Sequence, residues 1–214
     1  MTAPAEPKAK AVKPRRTKDI PGVTRPMTYE EYLASPEEMR RYDIIDGYKV
    51  YRLYGVKQLP NPTVEHQEIQ GNLYVPFRNF ARSTGLGRAL QPPCDVLIRR
   101  NPTRSRQPDL LFISNKRFGD RSRADAAPLS PAPELVVEIL SPSDTRRVQQ
   151  AKLTDYASVG VDECWLVSPE AQSVEVLRRE GTGFVPVAIY GQGQTVTAVT
   201  FADLTVSVDD IFAE

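Results

Sequence analysis

Apolar positions along this chain change period from one stretch to the next, and each period predicts an element. "MTYEEYLAS" opens a short helix, with Thr28 as N-cap and Glu31 three residues on completing a capping box. "YDIIDGYKVYRLYG" alternates apolar and polar residues on either side of Asp46-Gly47, which predicts a hairpin. Across 63–82, Ile69, Leu73, Phe77 and Phe80 recur at helical spacing and form one stripe, which His66 joins three residues before Ile69. Pro76 is expected to kink that helix or end it early. "LGRALQPPCDVLIRR", "PDLLFIS" and "PELVVEILS" read as three successive strands. A helix follows over roughly 145–159, then the strand "ECWLVS". "SVEVLRR" and "FVPVAIY" flank "EGTG" as a second hairpin. Strand-like "QTVTAVTF" and a short helix near "VDDIF" close the chain. The order implies an α/β fold: a mixed β-sheet flanked by helices, with extra β-hairpins at both ends.

A chain of 214 residues suffices for one domain with its own core, here 27–214. Residues 1–26 are rich in Ala, Pro and Lys/Arg and cannot bury enough apolar surface to order themselves, so a disordered basic tail is expected. That tail carries +5; the whole chain carries +1, which leaves −4 on residues 27–214. It is either a solvated extension or a non-specific phosphate-binding arm. Cys94 and Cys164 make neither a metal spacing nor a disulfide framework and suit a reducing cytoplasm. No apolar stretch reaches the ~18 residues of a membrane span.

Chemistry enters with two misplaced acids. Glu138 stands inside the apolar run "PELVVEILSPS", where a carboxylate costs several kcal/mol of desolvation unless compensated. Asp109 heads the apolar strand "PDLLFIS" directly after Pro108. By strand alternation Asp109 points with Leu111 and Ile113, and Glu138 with Val136 and Leu140, so the acids meet if their strands are neighbours. Two such carboxylates repel, and a hard divalent cation resolves the repulsion by accepting their oxygens, with the backbone carbonyl of Ile139 as a further ligand. An Arg or Lys partner inside the sheet would resolve it equally well. Lys152 interrupts the inward stripe Val148, Tyr156, Val159 of the next helix. It can face the acids or a phosphate, or simply pair with Asp155.

"PD" at 108–109, "EILSPS" at 138–143, Lys152 with Tyr156, and "GVDECWLVSP" at 160–169 together resemble the Uma-type endonucleases of the PD-(D/E)XK nuclease superfamily. "YDIIDG", His66 in "VEHQEI", Asp95 in "CDVLIRR" and "FADLTVSVDDIF" extend the resemblance over about 27–212. The resemblance implies a restriction-endonuclease-like core and a Mg²⁺-dependent phosphodiesterase site, Mn²⁺ being a possible substitute. Asp109 and Glu138 match the metal-binding acids, and Lys152 the motif lysine moved to the following helix, since Leu140 stands two residues after Glu138. His66 matches a recurrent histidine that could assist proton transfer; its alternative is an ordinary helix-face residue. Asp95 either reaches the site or shapes a strand end. The chain departs from the pattern at Val148, at Ser168-Pro169 and at Lys49, each of which stands where relatives often carry an acid.

The expected function is therefore a metal-dependent DNA endonuclease, with DNA as partner, no membrane association, and homodimerisation left open. The alternative is a catalytically inactive nuclease-fold module that binds DNA or protein. Eight Lys/Arg within 99–123, with Arg146 and Arg147, could form a phosphate-tracking rim or merely solvated loops. Removing residues 1–26 should weaken DNA binding in a salt-dependent way while leaving cleavage at saturating DNA intact. Unchanged low-salt binding in a filter-binding titration would exclude the phosphate-arm reading of the tail.

Overall fold

A computed structural model describes residues 25–36, 41–51, 62–122, 128–142 and 144–214. The expected tail lies outside these apart from its last two residues. The elements run α1 (Tyr29–Leu33), β1 (Tyr42–Ile45), β2 (Tyr48–Tyr51), α2 (Val64–Thr84), β3 (Gly87–Leu90), β4 (Val96–Arg99), β5 (Arg104–Arg106) and β6 (Leu110–Ser114). Then come α3 (Asn115–Phe118), β7 (Leu135–Ile139), α4 (Arg146–Ser158), β8 (Glu163–Ser168), β9 (Ser173–Glu180), β10 (Gly183–Tyr190), β11 (Thr195–Thr197), β12 (Thr205–Ser207) and α5 (Val208–Ile211).

The main sheet has the strand order β10-β9-β8-β7-β6-β3. Its β7–β8 pair is parallel and its other pairs antiparallel, so the sheet is mixed. A parallel pair needs a crossover, and α4 supplies it between β7 and β8. Strand alternation then sorts side chains between two cores. Leu110, Phe112, Leu135, Val137 and Ile139 pack with Ile69, Leu73, Phe77 and Phe80 of α2, where Phe77 meets Trp165 edge-on at 5.3 Å. Leu111, Ile113 and Val136 pack on the opposite face with Tyr156 of α4.

A second sheet, order β2-β1-β5-β4, forms the N-terminal part. Its hairpin turns on Asp46 and Gly47, with φ of 54° and 81°. Gly47 is required there twice over: its φ is positive, and a Cβ would lie 2.5 Å from Pro26 Cβ. The Thr28–Glu31 capping box forms as the sequence predicts.

Two sequence expectations change. "LGRALQPPCDVLIRR" is not one strand but β3 and β4, which belong to different sheets. Pro92 and Pro93 break the run, because proline cannot donate to a ladder. Of the two outcomes expected at Pro76, a kink or an early end, the early end does not occur. The helix continues to Thr84, held by Leu73, Phe77 and Phe80 buried on both sides of the proline.

Val96 of β4 joins the second sheet to the Leu111, Ile113 and Val136 core of the main sheet, and a charged network ties the second sheet to α4. Arg106 Nη1 donates to Asp43 Oδ2 at 3.0 Å and its Nε to Asp155 Oδ2 of α4 at 2.7 Å. Arg104 reaches the same Asp155 at 3.0 Å and Asp46 at 3.0 Å. The Gln107 amide N–H donates to Asp43 Oδ1 at 3.0 Å, and its side-chain Nε2 donates to Asp95 Oδ1 at 3.0 Å. Tyr32 donates its hydroxyl to the other Asp95 oxygen. Burial first, then the Asp95 charge, raises the Tyr32 hydroxyl pKa above its ordinary value, which keeps it a donor. Asp95 thus ties the strand end to α1 and to Gln107.

Candidate active site

Asp109 immediately precedes β6, and Glu138 follows Val137, the last β7 residue paired with β6 through Leu110. Both acids therefore sit at one end of the β6–β7 pair. Asp109 also brackets Glu138 along the chain. Its N–H donates to the Val137 carbonyl at 3.0 Å, and its Oδ2 accepts the Ile139 N–H at 2.7 Å.

Both carboxylates are buried, Asp109 fully and Glu138 to 2% exposure. Strand alternation sends Glu138 toward α4. There Lys152 Nζ donates to Oε2 at 2.8 Å and the Tyr156 hydroxyl to Oε1 at 2.5 Å. Lys152 and Tyr156 are four apart on one helix face, which lets them clasp one carboxylate together. Lys152 does not pair with Asp155, which is bound by Arg104 and Arg106 instead. Lys152 Nζ has a second, more distant carboxylate, Asp144 Oδ1 at 3.9 Å.

Asp109 has a partner that the sequence did not announce. The Arg41 guanidinium, at the entry to β1, forms an ion pair with Asp109 Oδ1. Its Nη2 also donates to the carbonyls of Gln107 at 3.1 Å and Pro108 at 3.2 Å. His66 Nε2 of α2 lies 3.4 Å from the same Oδ1, and Gln70 Nε2 donates to the Asp109 carbonyl at 2.9 Å. Asp109, Glu138, Lys152 and His66 are thus gathered around one strand end, with Arg41 and Tyr156 added. The picture of two acids repelling one another does not hold for the protein alone: each carboxylate faces a cationic side chain.

Beside this cluster lies a cleft of about 670 Å³. His66 lines it, with Thr63 and Glu65 from the head of α2, Leu140 and Asp144 after β7, Gln149 of α4, and Ser168 and Glu170 after β8. Among the described residues its lining holds three carboxylates and no lysine or arginine. Four of the eight bases in the stretch 99–123 are met by carboxylates. Arg99 pairs with Asp46 at 2.6 Å, Arg104 and Arg106 with the carboxylates above, and Arg117 with Glu134 at 3.3 Å and with Asp162. Arg146 and Arg147, at the start of α4, remain exposed.

The donor set fits a hard cation in kind. Two carboxylates and the Ile139 carbonyl are oxygen ligands, and Mg²⁺ commonly takes one or two protein carboxylates and keeps several waters. Among the described residues no group of three or more His, Cys, Asp and Glu forms a self-sufficient cage. A Mg²⁺ ion held here would need further ligands from water or substrate.

Residues 29–209 match the family model "Uma2: Putative restriction endonuclease". The chain belongs to this restriction-endonuclease-like family. No curated protein matches it. Its fold is shared with a solved structure described as "a putative nuclease belonging to DUF820 from Anabaena variabilis ATCC 29413". That structure aligns with a TM-score of 0.68 at 22% identity, over 88% of this chain and 98% of the other. Among the described residues no helix is long and apolar enough to cross a membrane.

Burial of the Glu138–Lys152 pair makes it testable without any substrate. Glu138→Leu and Lys152→Met should each cost about 3 kcal/mol, since each strands a buried charge. The double variant should cost clearly less than the two together. Urea denaturation of the four proteins measures this, and additive losses would mean that the pair contributes no coupling.

Proposed function

We propose that this protein is a metal-dependent endonuclease acting on DNA phosphodiester bonds, with Asp109 and Glu138 as cation ligands. The observation that carries the reading is the placing of both acids, with Lys152, at one end of the β6–β7 pair beside an open cleft. Family membership supports the same reaction class. The acidic lining of the cleft supports a cation requirement, because a polyanion approaching Glu65, Asp144 and Glu170 needs positive charge between.

In this reading Asp109, Glu138 and the Ile139 carbonyl hold Mg²⁺, for which Mn²⁺ can stand in. The ion would polarise a non-bridging phosphate oxygen and make a bound water more acidic. The residues of the chain do the positioning. Tyr156 fixes one oxygen of Glu138, which sets where the other oxygen points. Lys152, 2.8 Å from Glu138 and 3.9 Å from the cleft-lining Asp144, would stabilise charge that develops on the phosphate. His66 lines the cleft beside Asp109 and can exchange a proton with water or a leaving oxygen, a contribution of ~10²–10⁴ in rate when geometry allows. Exposed Arg146 and Arg147 meet the DNA backbone at the cleft edge, and the tail supplies further sequence-independent attraction.

A second reading, an inactive nuclease-fold module that binds DNA or protein, draws on the protein's own cations at both acids. One experiment separates the two. Single-turnover plasmid nicking is measured with Mg²⁺, Mn²⁺ or EDTA, alongside cation affinity by calorimetry, below the melting temperature of every variant. The endonuclease reading predicts that Asp109→Asn loses both cation affinity and nicking. Lys152→Ala should keep cation affinity yet lose ~10²-fold or more in nicking, as for a missing preorganised charge. Parent protein that neither binds a cation nor nicks DNA would establish the binding-module reading.

A further inference from the structure

We infer that Arg41 is the built-in counter-ion of Asp109 and competes with the divalent cation for it, so that loading the site requires the guanidinium to leave that carboxylate. The inference rests on the cation reading of Asp109 and Glu138 given above.

Charge balance is the first argument. Among the described residues, the buried cluster sets Arg41 against Asp109 and Lys152 against Glu138, with Asp144 at 3.9 Å as a second carboxylate for Lys152. A divalent ion adds two positive charges and a phosphodiester returns one negative. Two cations at contact distance repel by about 4 kcal/mol even at an effective dielectric of 20. A base that keeps its carboxylate oxygen therefore opposes an ion that would take that oxygen.

The surroundings of the two bases assign that step to Arg41. The Arg41 side chain is 11% exposed, and Asp109 is fully buried. Both Asp109 oxygens are engaged, Oδ1 by Arg41 and Oδ2 by the Ile139 N–H. That N–H comes from a strand backbone and cannot turn aside. A cation gains Asp109 most directly at Oδ1, where Arg41 sits. Arg41 also has neutral acceptors of its own. Besides the carbonyls of Gln107 and Pro108, its Nε donates to Gln107 Oε1 at 3.3 Å. Gln107 is itself fixed by Asp43 and Asp95. Leaving Asp109 would thus not strand a bare buried guanidinium, and it would keep the positive charge near the entering phosphate. Lys152, by contrast, grips a carboxylate that a phenol also orients, and stays useful where it is.

The test is a calorimetric titration of the full chain with MgCl₂ and with MnCl₂. Arg41→Gln should bind either ion about tenfold more tightly than the parent, or more, because a competing charge is gone. Arg41→Lys keeps the charge and should bind the ion more weakly than Arg41→Gln. Asp109→Asn should bind neither. Parent and Arg41→Gln proteins that both bind no cation would bring down the cation reading, and this inference with it. Cation binding in both at equal strength would overturn the competition alone and leave the cation reading standing. The parent protein gives a check that needs no variant to fold. In NMR spectra the Arg41 Nε–H signal should move and its hydrogen exchange quicken as Mg²⁺ is added. A signal unmoved at saturating Mg²⁺, with binding seen by calorimetry, overturns the inference.

Discussion

A carboxylate in the middle of an apolar strand constrains everything around it. Glu138 is nearly water-free, so its charge must be met by groups delivered from elsewhere in the chain. The parallel β7–β8 pair makes this possible. Its crossover helix returns across the sheet face toward which Glu138 points, and presents Lys152 and Tyr156 to the two oxygens. The antiparallel β6–β7 pair does the same for the second acid, setting Asp109 at the strand end where Val137 and Ile139 hold it by backbone bonds. Fold and site are thus one arrangement: the sheet order decides which polar groups can share a buried corner.

The N-terminal sheet completes that corner. Arg106 of β5 reaches α4 through Asp155, and Gln107, held by Asp43 of β1, supports Arg41 against Asp109. Truncating any one of these would leave a buried partner with its charge or hydrogen bond unmet, so the network is coupled rather than a sum of separate bonds. It also explains the large share of arginine in 99–123. Arg104 and Arg106 join sheet to helix through Asp155, while Arg146 and Arg147 at the start of α4 stay exposed.

The sequence made legible what depends on local period and capping. The Thr28 cap, the Asp46-Gly47 turn, the α2 stripe with His66 on it, and Lys152 beside Tyr156 on the buried face of α4 all follow from spacing along a few turns or strands. So did the discomfort of Asp109 and Glu138 in apolar runs. What stayed hidden was set by contacts across the chain. Arg41 lies 68 residues from Asp109, and nothing in its neighbourhood marks it as a partner. Glu163 resembles Glu138 in pattern, as a buried acid in an apolar strand. Yet it serves structure, accepting from Trp165 Nε1 and from the N–H groups of Val199 and Thr200. Both acids are buried, and only their three-dimensional partners tell one that faces a lysine beside a cleft from one that ties down a loop.

The central claim is that Asp109 and Glu138 form a cation site that the protein's own bases guard. Anomalous scattering from crystals grown with MnCl₂ tests it most directly. The account predicts a Mn²⁺ peak in contact with oxygens of both Asp109 and Glu138, with Arg41 displaced from Asp109. Fully ordered density that keeps Arg41 on Asp109 and Lys152 on Glu138, with no peak between the acids at saturating Mn²⁺, would contradict it.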